Sequence, residues 1–268
     1  APLDRMTGGG ETMATARKRL GVIVPSSNTI AEEGTLAALA HDSGIAVHFT
    51  RLRVVAIGDG ADSLAQFDEA HFAAAANLLA DAGVGMILWS GTAASWLGWQ
   101  ADRRVTGIIE RQYGVPAATA TTAINDRLAR MGAKRIGLVT PYVAAIEARI
   151  ENNYRAIGID VASAERLDLT RNTDYAEVPP ARIAAMAERV AKAKPDAIVI
   201  LCTNLAGTPI ADAVAGATGI PVLDSVRVAA EEAASALHAA AAPKKATHEA
   251  PSPIKKETSV FSDASRIP

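Results

Sequence analysis

The segment RLGVIVPSSNT (19–29) returns 116 residues later as RIGLVTPYVAA (135–145). Two more pairs follow in the same order. GMILWSGTAAS (85–95) matches AIVILCTNLAG (197–207) at an offset of 112 or 111, and YGVPAATATTAI (113–124) matches TGIPVLDSVRVA (218–229) at 105. Three ordered pairs at similar spacing mark a duplicated unit, so whatever one half folds into, the other must fold into as well. The middle pair admits two registers. Matching the turns GT and CT sets Gly91 against Cys202, whereas the uniform register sets Ser90 there. The turn chemistry is the stronger anchor and favours Gly91.

Each half supplies four short apolar runs rich in β-branched residues. They are 19–25, 46–54, 85–90 and 116–120, then 134–141, 159–167, 196–202 and 220–225. Several are continuously apolar instead of alternating, which means burial on both faces and hence parallel sheet covered by helices. Alanine-rich intervals with apolar positions three and four apart, such as 67–83 and 180–194, supply those helices. The expected fold is α/β: two pseudo-symmetric Rossmann-like halves, each a four-stranded parallel sheet flanked by helices, with the active site between them. The halves are expected at 17–132 and 133–242, between a disordered N-terminal segment (1–16) and a disordered tail (243–268) rich in Pro, Lys, Ser and Glu.

Charge is nearly balanced, 27 Lys+Arg against 29 Asp+Glu, so nothing points to nucleic acid or an anionic membrane as a partner. No run approaches the ~18 apolar residues of a membrane span, and the first residues lack the apolar core of a secretory signal. A single cysteine forms no internal disulfide, which fits a reducing cytoplasm. The five histidines show no paired ligand spacing, so no metal is expected. GGG (8–10) precedes the first strand instead of following it, and no GxxxxGK[ST] or GxSxG sequence occurs, which leaves no nucleotide loop and no hydrolase elbow.

In open parallel sheets, ligands bind beyond the carboxyl ends of the strands, beside helix N-termini whose free N–H groups suit carboxylates. Four such ends carry small hydroxyl, amide and glycine residues: PSSNT (25–29), SGTAAS (90–95), TPY (140–142) and CTNLAG (202–207). The same residue types are ordinary turn and cap residues, and a lone buried cysteine is commonly inert packing. Their recurrence at symmetry-related strand ends argues for a site. Reactivity at Cys202 requires exposure and an electropositive setting, which such a strand end would supply. Trp96 and Trp99 read more readily as packing than as pocket wall.

These residues resemble the aspartate/glutamate racemase superfamily, in its arylmalonate decarboxylase and maleate isomerase branch. VPSSNT (24–29) and TPY are similar to the maleate isomerases, and GTAASWLG (91–98) to the GT loop of the decarboxylases. The resemblance spans about 17–242 and implies a cofactor-free enzyme with its substrate held between two α/β halves. Racemases and maleate isomerases carry a cysteine in each half; the decarboxylases keep only the second, which protonates the carbanion left when carbon dioxide departs. Cys202 matches that second cysteine and Gly91 the missing first. By the same resemblance, Thr92, Tyr142 and the backbone around Thr203 hold a substrate carboxylate, and Asn28 binds the other end of the substrate. Asn172 falls near the family's second asparagine. The loop 54–63 lies where the family covers the site, though it equally reads as a Gly-rich surface turn. Two departures stand out: Ala93 replaces a donating serine, and Thr203 and Asn204 replace the glycines after the cysteine.

The expected activity is decarboxylation of a small carboxylate or dicarboxylate through an enediolate, with Cys202 delivering a proton to one face. Its thiol, with an ordinary pKa near ~8.5, would suit proton transfer near neutrality. The alternatives are a maleate isomerase-like or amino-acid racemase-like isomerase, each needing a group at the first position, and a non-catalytic carboxylate-binding module. A homo-oligomer is compatible with the sequence, which does not specify one.

Overall fold

The computed structural model describes residues 17–54 and 67–240. The first sheet consists of β1 (Lys18–Pro25), β2 (Ile45–Leu52), β3 (Met86–Trp89) and β4 (Ala117–Thr119), in the order β2-β1-β3-β4. The second consists of β5 (Arg135–Thr140), β6 (Asp160–Arg166), β7 (Ala197–Ile200) and β8 (Val222–Asp224), in the equivalent order β6-β5-β7-β8. All pairings are parallel. The expected α/β fold with two four-stranded parallel sheets is what forms. The 1–16 and 243–268 segments, and all but Val54 of the expected 54–63 loop, lie outside the described residues.

The helices are α1 (Ala31–Ala38), α2 (Glu69–Asp81), α3 (Ala94–Leu97), α4 (Gln100–Tyr113), α5 (Ala120–Met131), α6 (Ala144–Ala156), α7 (Asn172–Ala176), α8 (Pro180–Ala191), α9 (Ala211–Thr218) and α10 (Ser225–Ala239). Both faces of the central strands are covered, so Leu20, Val22, Ile23 and Val24 of β1 and Ile198, Val199 and Ile200 of β7 have no exposed surface. The duplicated glycines Gly21 and Gly137 explain how helices come this close. A Cβ on Gly21 would lie 3.0 Å from Leu79 of α2, and one on Gly137 would lie 2.9 Å from Val190 of α8. Among the described residues, no helix is long and apolar enough to cross a membrane.

The last helix ties the molecule together. Although α10 follows β8, it packs on α1 and α5 and on strands β1 and β3 of the first sheet. Arg127 of α5 bridges to Glu231 and Glu232 of α10. Lys18 Nζ donates to the carbonyls of Leu237, His238 and Ala240 at the end of α10, at 2.8–3.0 Å. A cation on the unsatisfied carbonyls of a helix C-terminus is favourable.

In each sheet the strand order reverses between the first and third strands of the half. Their carboxyl ends therefore open the crevice where such folds bind ligands. The fourth strand of each half ends in a helix cap. Thr119 caps α5 in a reciprocal box with Thr122, and Asp224 accepts from Arg227 N of α10 at 2.9 Å. A Thr–Asp pair recurs with its members exchanged: Thr119 Oγ1 donates to Asp102 Oδ2, and Thr208 Oγ1 to Asp224 Oδ1, each at 2.7 Å.

Asp102 is buried, and burial pushes its carboxyl up to about 7, against the opposing hydrogen bonds of Thr119 and Thr121. A folded-state pKa above the unfolded 3.8 means that the native state holds a proton which the unfolded chain releases. Its contribution is therefore most favourable below pH 4 and is lost as pH rises to about 7, by ~4 kcal/mol at about 1.36 kcal/mol per pH unit. Thermal melts between pH 5 and pH 8 should show the protein losing more stability than Asp102→Asn over the same range. Equal losses would remove Asp102 as the cause.

Candidate active site

The strand ends of the two halves meet around a cavity of about 30 Å³, room for roughly two water molecules on a scale where one needs ~10–15 Å³. The first half contributes Pro25, Val54, Phe67, Trp89, Gly91, Thr92, Ala93 and Trp96, and the second Tyr142, Asn172, Cys202 and Thr203. Among the described residues no Lys or Arg lines it, and the polar groups there are neutral hydroxyls, amides and backbone.

Cys202 follows β7 and is only 3% exposed. The turn after it is tight, and Asn204 N–H donates back to Sγ at 3.4 Å. Burial pushes the thiol up to about 11, and the carboxylate of Asp224 adds to the rise; the N–H groups of Asn204 and Leu205 and the Tyr142 hydroxyl oppose it. This corrects the sequence expectation of an exposed thiol in an electropositive setting. The strand end is where it was expected, but the interlocked halves close over it, and the Asp224 carboxylate opposes ionisation of the thiol. The thiol is protonated at neutral pH.

Thr92 and Tyr142 come from opposite halves, and their hydroxyl oxygens lie 3.1 Å apart. Ser95 Oγ donates to Thr92 O at 2.6 Å and fixes the turn ahead of α3. Burial raises the Tyr142 phenol well above 10, so it stays a neutral donor. The ring of Tyr175, on α7, stacks edge-on against Tyr142 with centroids 5.8 Å apart. Gly91 and Ala93 also line the cavity, between Trp89 and α3 in the chain.

Thr203 is both lining residue and rivet. Its Oγ1 donates to Ser90 O at 3.1 Å and accepts from Asn28 Nδ2 at 3.0 Å. Asn28 Oδ1 in turn accepts from the N–H groups of Ile30 and Ala31 at 2.9 Å, capping the start of α1. Asn204 Oδ1 accepts from Thr29 N at 3.0 Å, and its Nδ2 donates to Asn172 O at 2.6 Å. Asn172 Nδ2 donates to Ser27 Oγ at 2.8 Å.

Thus Gly91, Thr92, Ala93, Tyr142, Asn172, Cys202 and Thr203, all singled out in the sequence, line the cavity together. Asn28 and Asn204, both 1% exposed, stand behind that wall and are committed to the hydrogen bonds that join the halves. Trp99 packs as expected, edge-on to Tyr154 with centroids 5.4 Å apart, but Trp96 lines the cavity instead of only packing. Sequence reasoning missed Trp89, Phe67, Tyr175 and Asp224. Only the placement of Trp89 two residues before Gly91, and of Asp224 opposite Thr119 in the repeat, carried a signal. Among the described residues, no group of three or more His, Cys, Asp or Glu is placed to hold a metal ion.

Comparison with known proteins bears on the family and the fold. A family model described as arylmalonate decarboxylase matches residues 49–248. The maleate isomerase of Nocardia farcinica is 26% identical over 222 residues, covering 80% of this chain and 87% of that protein. A solved structure of the Nocardia farcinica maleate cis-trans isomerase, a mutant with a covalently bound succinylcysteine intermediate, superposes with a TM-score of 0.76 at 24% identity. It covers 83% of this chain and 94% of that one. Unliganded arylmalonate decarboxylase superposes with a TM-score of 0.69 at 21% identity, covering 85% and 96%.

Two outcomes follow from the geometry. Alkylation of Cys202 by iodoacetamide should be slow at pH 7 and rise about tenfold per pH unit, levelling only near pH 11; levelling near pH 8.5 would contradict the buried thiol. Thr203→Val, which orphans the Asn28 amide and removes the tie to Ser90 O, should lower unfolding stability by ~2 kcal/mol in denaturant titrations.

Proposed function

The chain belongs to the arylmalonate decarboxylase family, and on that premise we propose that it is a cofactor-independent enzyme that takes a small carboxylate or dicarboxylate through an enediolate and protonates it from Cys202. The reaction this site suits best is decarboxylation. The bond between the α-carbon and one carboxylate breaks, carbon dioxide leaves, and the electron pair stays on the α-carbon, delocalised into the remaining carboxylate. Thr92, Tyr142 and the backbone around Thr203 are the proposed donors to that developing charge, in a water-poor cavity where such donors act strongly. The Cys202 S–H then gives its proton to the α-carbon, and the thiolate is reprotonated by solvent.

One observation carries this reading. Cys202 is buried with its thiol pushed up to about 11, the state required of a proton donor, and Gly91, which shares the cavity wall, has no side chain to act as a second donor. An enediolate is a far stronger base than a thiolate, so a thiol near 11 still transfers its proton downhill. Asn28 and Asn204, which do not line the cavity, are proposed as positioning residues that act through Thr203 and Asn172. A reducing cytoplasm remains the proposed setting, on the strength of the single cysteine.

A second reading, maleate cis-trans isomerisation, is favoured by the curated relatives, four of which are maleate isomerases at 24–27% identity. A covalent cysteine adduct of the succinylcysteine kind forms from a thiolate nucleophile. Here the single thiol would have to ionise against its burial to serve.

Proton NMR in deuterium oxide with malonate, α-substituted malonates and maleate distinguishes the two. Decarboxylation predicts an α-deuterated monoacid, abolished in Cys202→Ala and reduced about 100-fold in Tyr142→Phe. Fumarate formed from maleate would establish the isomerase instead, and binding without turnover would mark a carboxylate-binding module.

A further inference from the structure

Trp89 is a large group at the cavity to which the reaction scheme assigns no role. It is the last residue of β3, paired with Ile23 and Thr119 on either side, and is 3% exposed. Its ring is fixed edge-on against Phe72 of α2, with centroids 5.0 Å apart at 87°. A Cβ built on Gly91 falls under 3.0 Å from Cε2, Cζ2 and Nε1 of this indole, a separation that real Cβ atoms essentially never show. The indole therefore lies where any side chain at position 91 would begin. Gly91 is demanded by space, since its φ is not in the left-handed region that favours glycine.

The repeat makes the exchange plain. Where the first half reads Trp89-Ser90-Gly91, the second reads Ile200-Leu201-Cys202. A large residue followed by glycine in one half stands against a medium residue followed by the thiol in the other. The volume that the second half gives to a reactive side chain is filled in the first half by an aromatic ring from two positions earlier.

We propose that Trp89 is the specificity-determining residue of this site: its indole seals the face opposite Cys202 and limits the substrate to a small α-substituent lying against the ring. Trp89, Phe67 and Trp96 supply aromatic surface to the cavity wall. The substrate class rests on the proposed carboxylate chemistry; the occupancy of the slot by Trp89 does not.

The test has two independent arms. In thermal melts, Gly91→Ala should lower Tm by about 5 °C in the native background, as overpacking does, and by under about 2 °C when Trp89→Leu is already present. An equal loss in both backgrounds overturns the slot. In NMR titrations with malonate and α-phenylmalonate, Trp89→Leu should shift the ratio of their affinities about tenfold toward the bulkier dianion, the scale on which apolar pockets discriminate size. An unchanged ratio overturns the specificity role. Should neither dianion bind the native protein, the carboxylate reading itself fails, and the specificity role falls with it, while the melts still decide whether Trp89 fills the slot.

Discussion

The hydrogen bonds at Thr203 are the constraint on which the site depends. One hydroxyl receives the Asn28 amide and donates to Ser90 O, so it fixes the end of β3 and the start of α1 relative to the turn that carries Cys202. All three groups are buried, and a buried polar group left without its partner costs ~1–3 kcal/mol. The asparagines flanking it repeat the device, each sending one end of its amide across the seam and using the other within its own half. The halves are therefore held together around the cavity by buried hydrogen bonds.

That seam also determines the chemistry. Closing the halves over Cys202 removes it from water, and the removal raises its pKa to about 11 with the Asp224 carboxylate adding to the rise. A thiol held this way is a poor nucleophile at neutral pH, and under the proposed function it is the proton donor. Trp89 treats the opposite face in kind, filling with an indole the space where a second donor would have to start. Burial on one side and occlusion on the other together make the cavity one-sided.

The fold was legible because its signals are local and repeated. Eight apolar runs locate all eight strands, and the paired Gly21 and Gly137 fall at the same register of β1 and β5. Most of the cavity wall was legible too, since strand ends can be read from where apolar runs stop. What the sequence could not convey is depth. Asn28 and Asn204 sit on the right loops yet point into the seam, because an amide's choice between ligand and neighbour depends on the other half. Cys202 was placed correctly, but its protonation depends on Asp224 and Tyr142, distant in sequence, and on the closure of the lobes. Trp89 reads as an ordinary strand residue until its ring is seen over Gly91.

The most direct test of the account is the pH dependence of kcat/KM between pH 7 and pH 9.5 on whichever carboxylate the protein turns over. A protonated donor with a pKa of about 11 predicts a level profile across that range. A rise approaching tenfold per pH unit would show that the thiolate is the working form, and would contradict Cys202 as the proton donor.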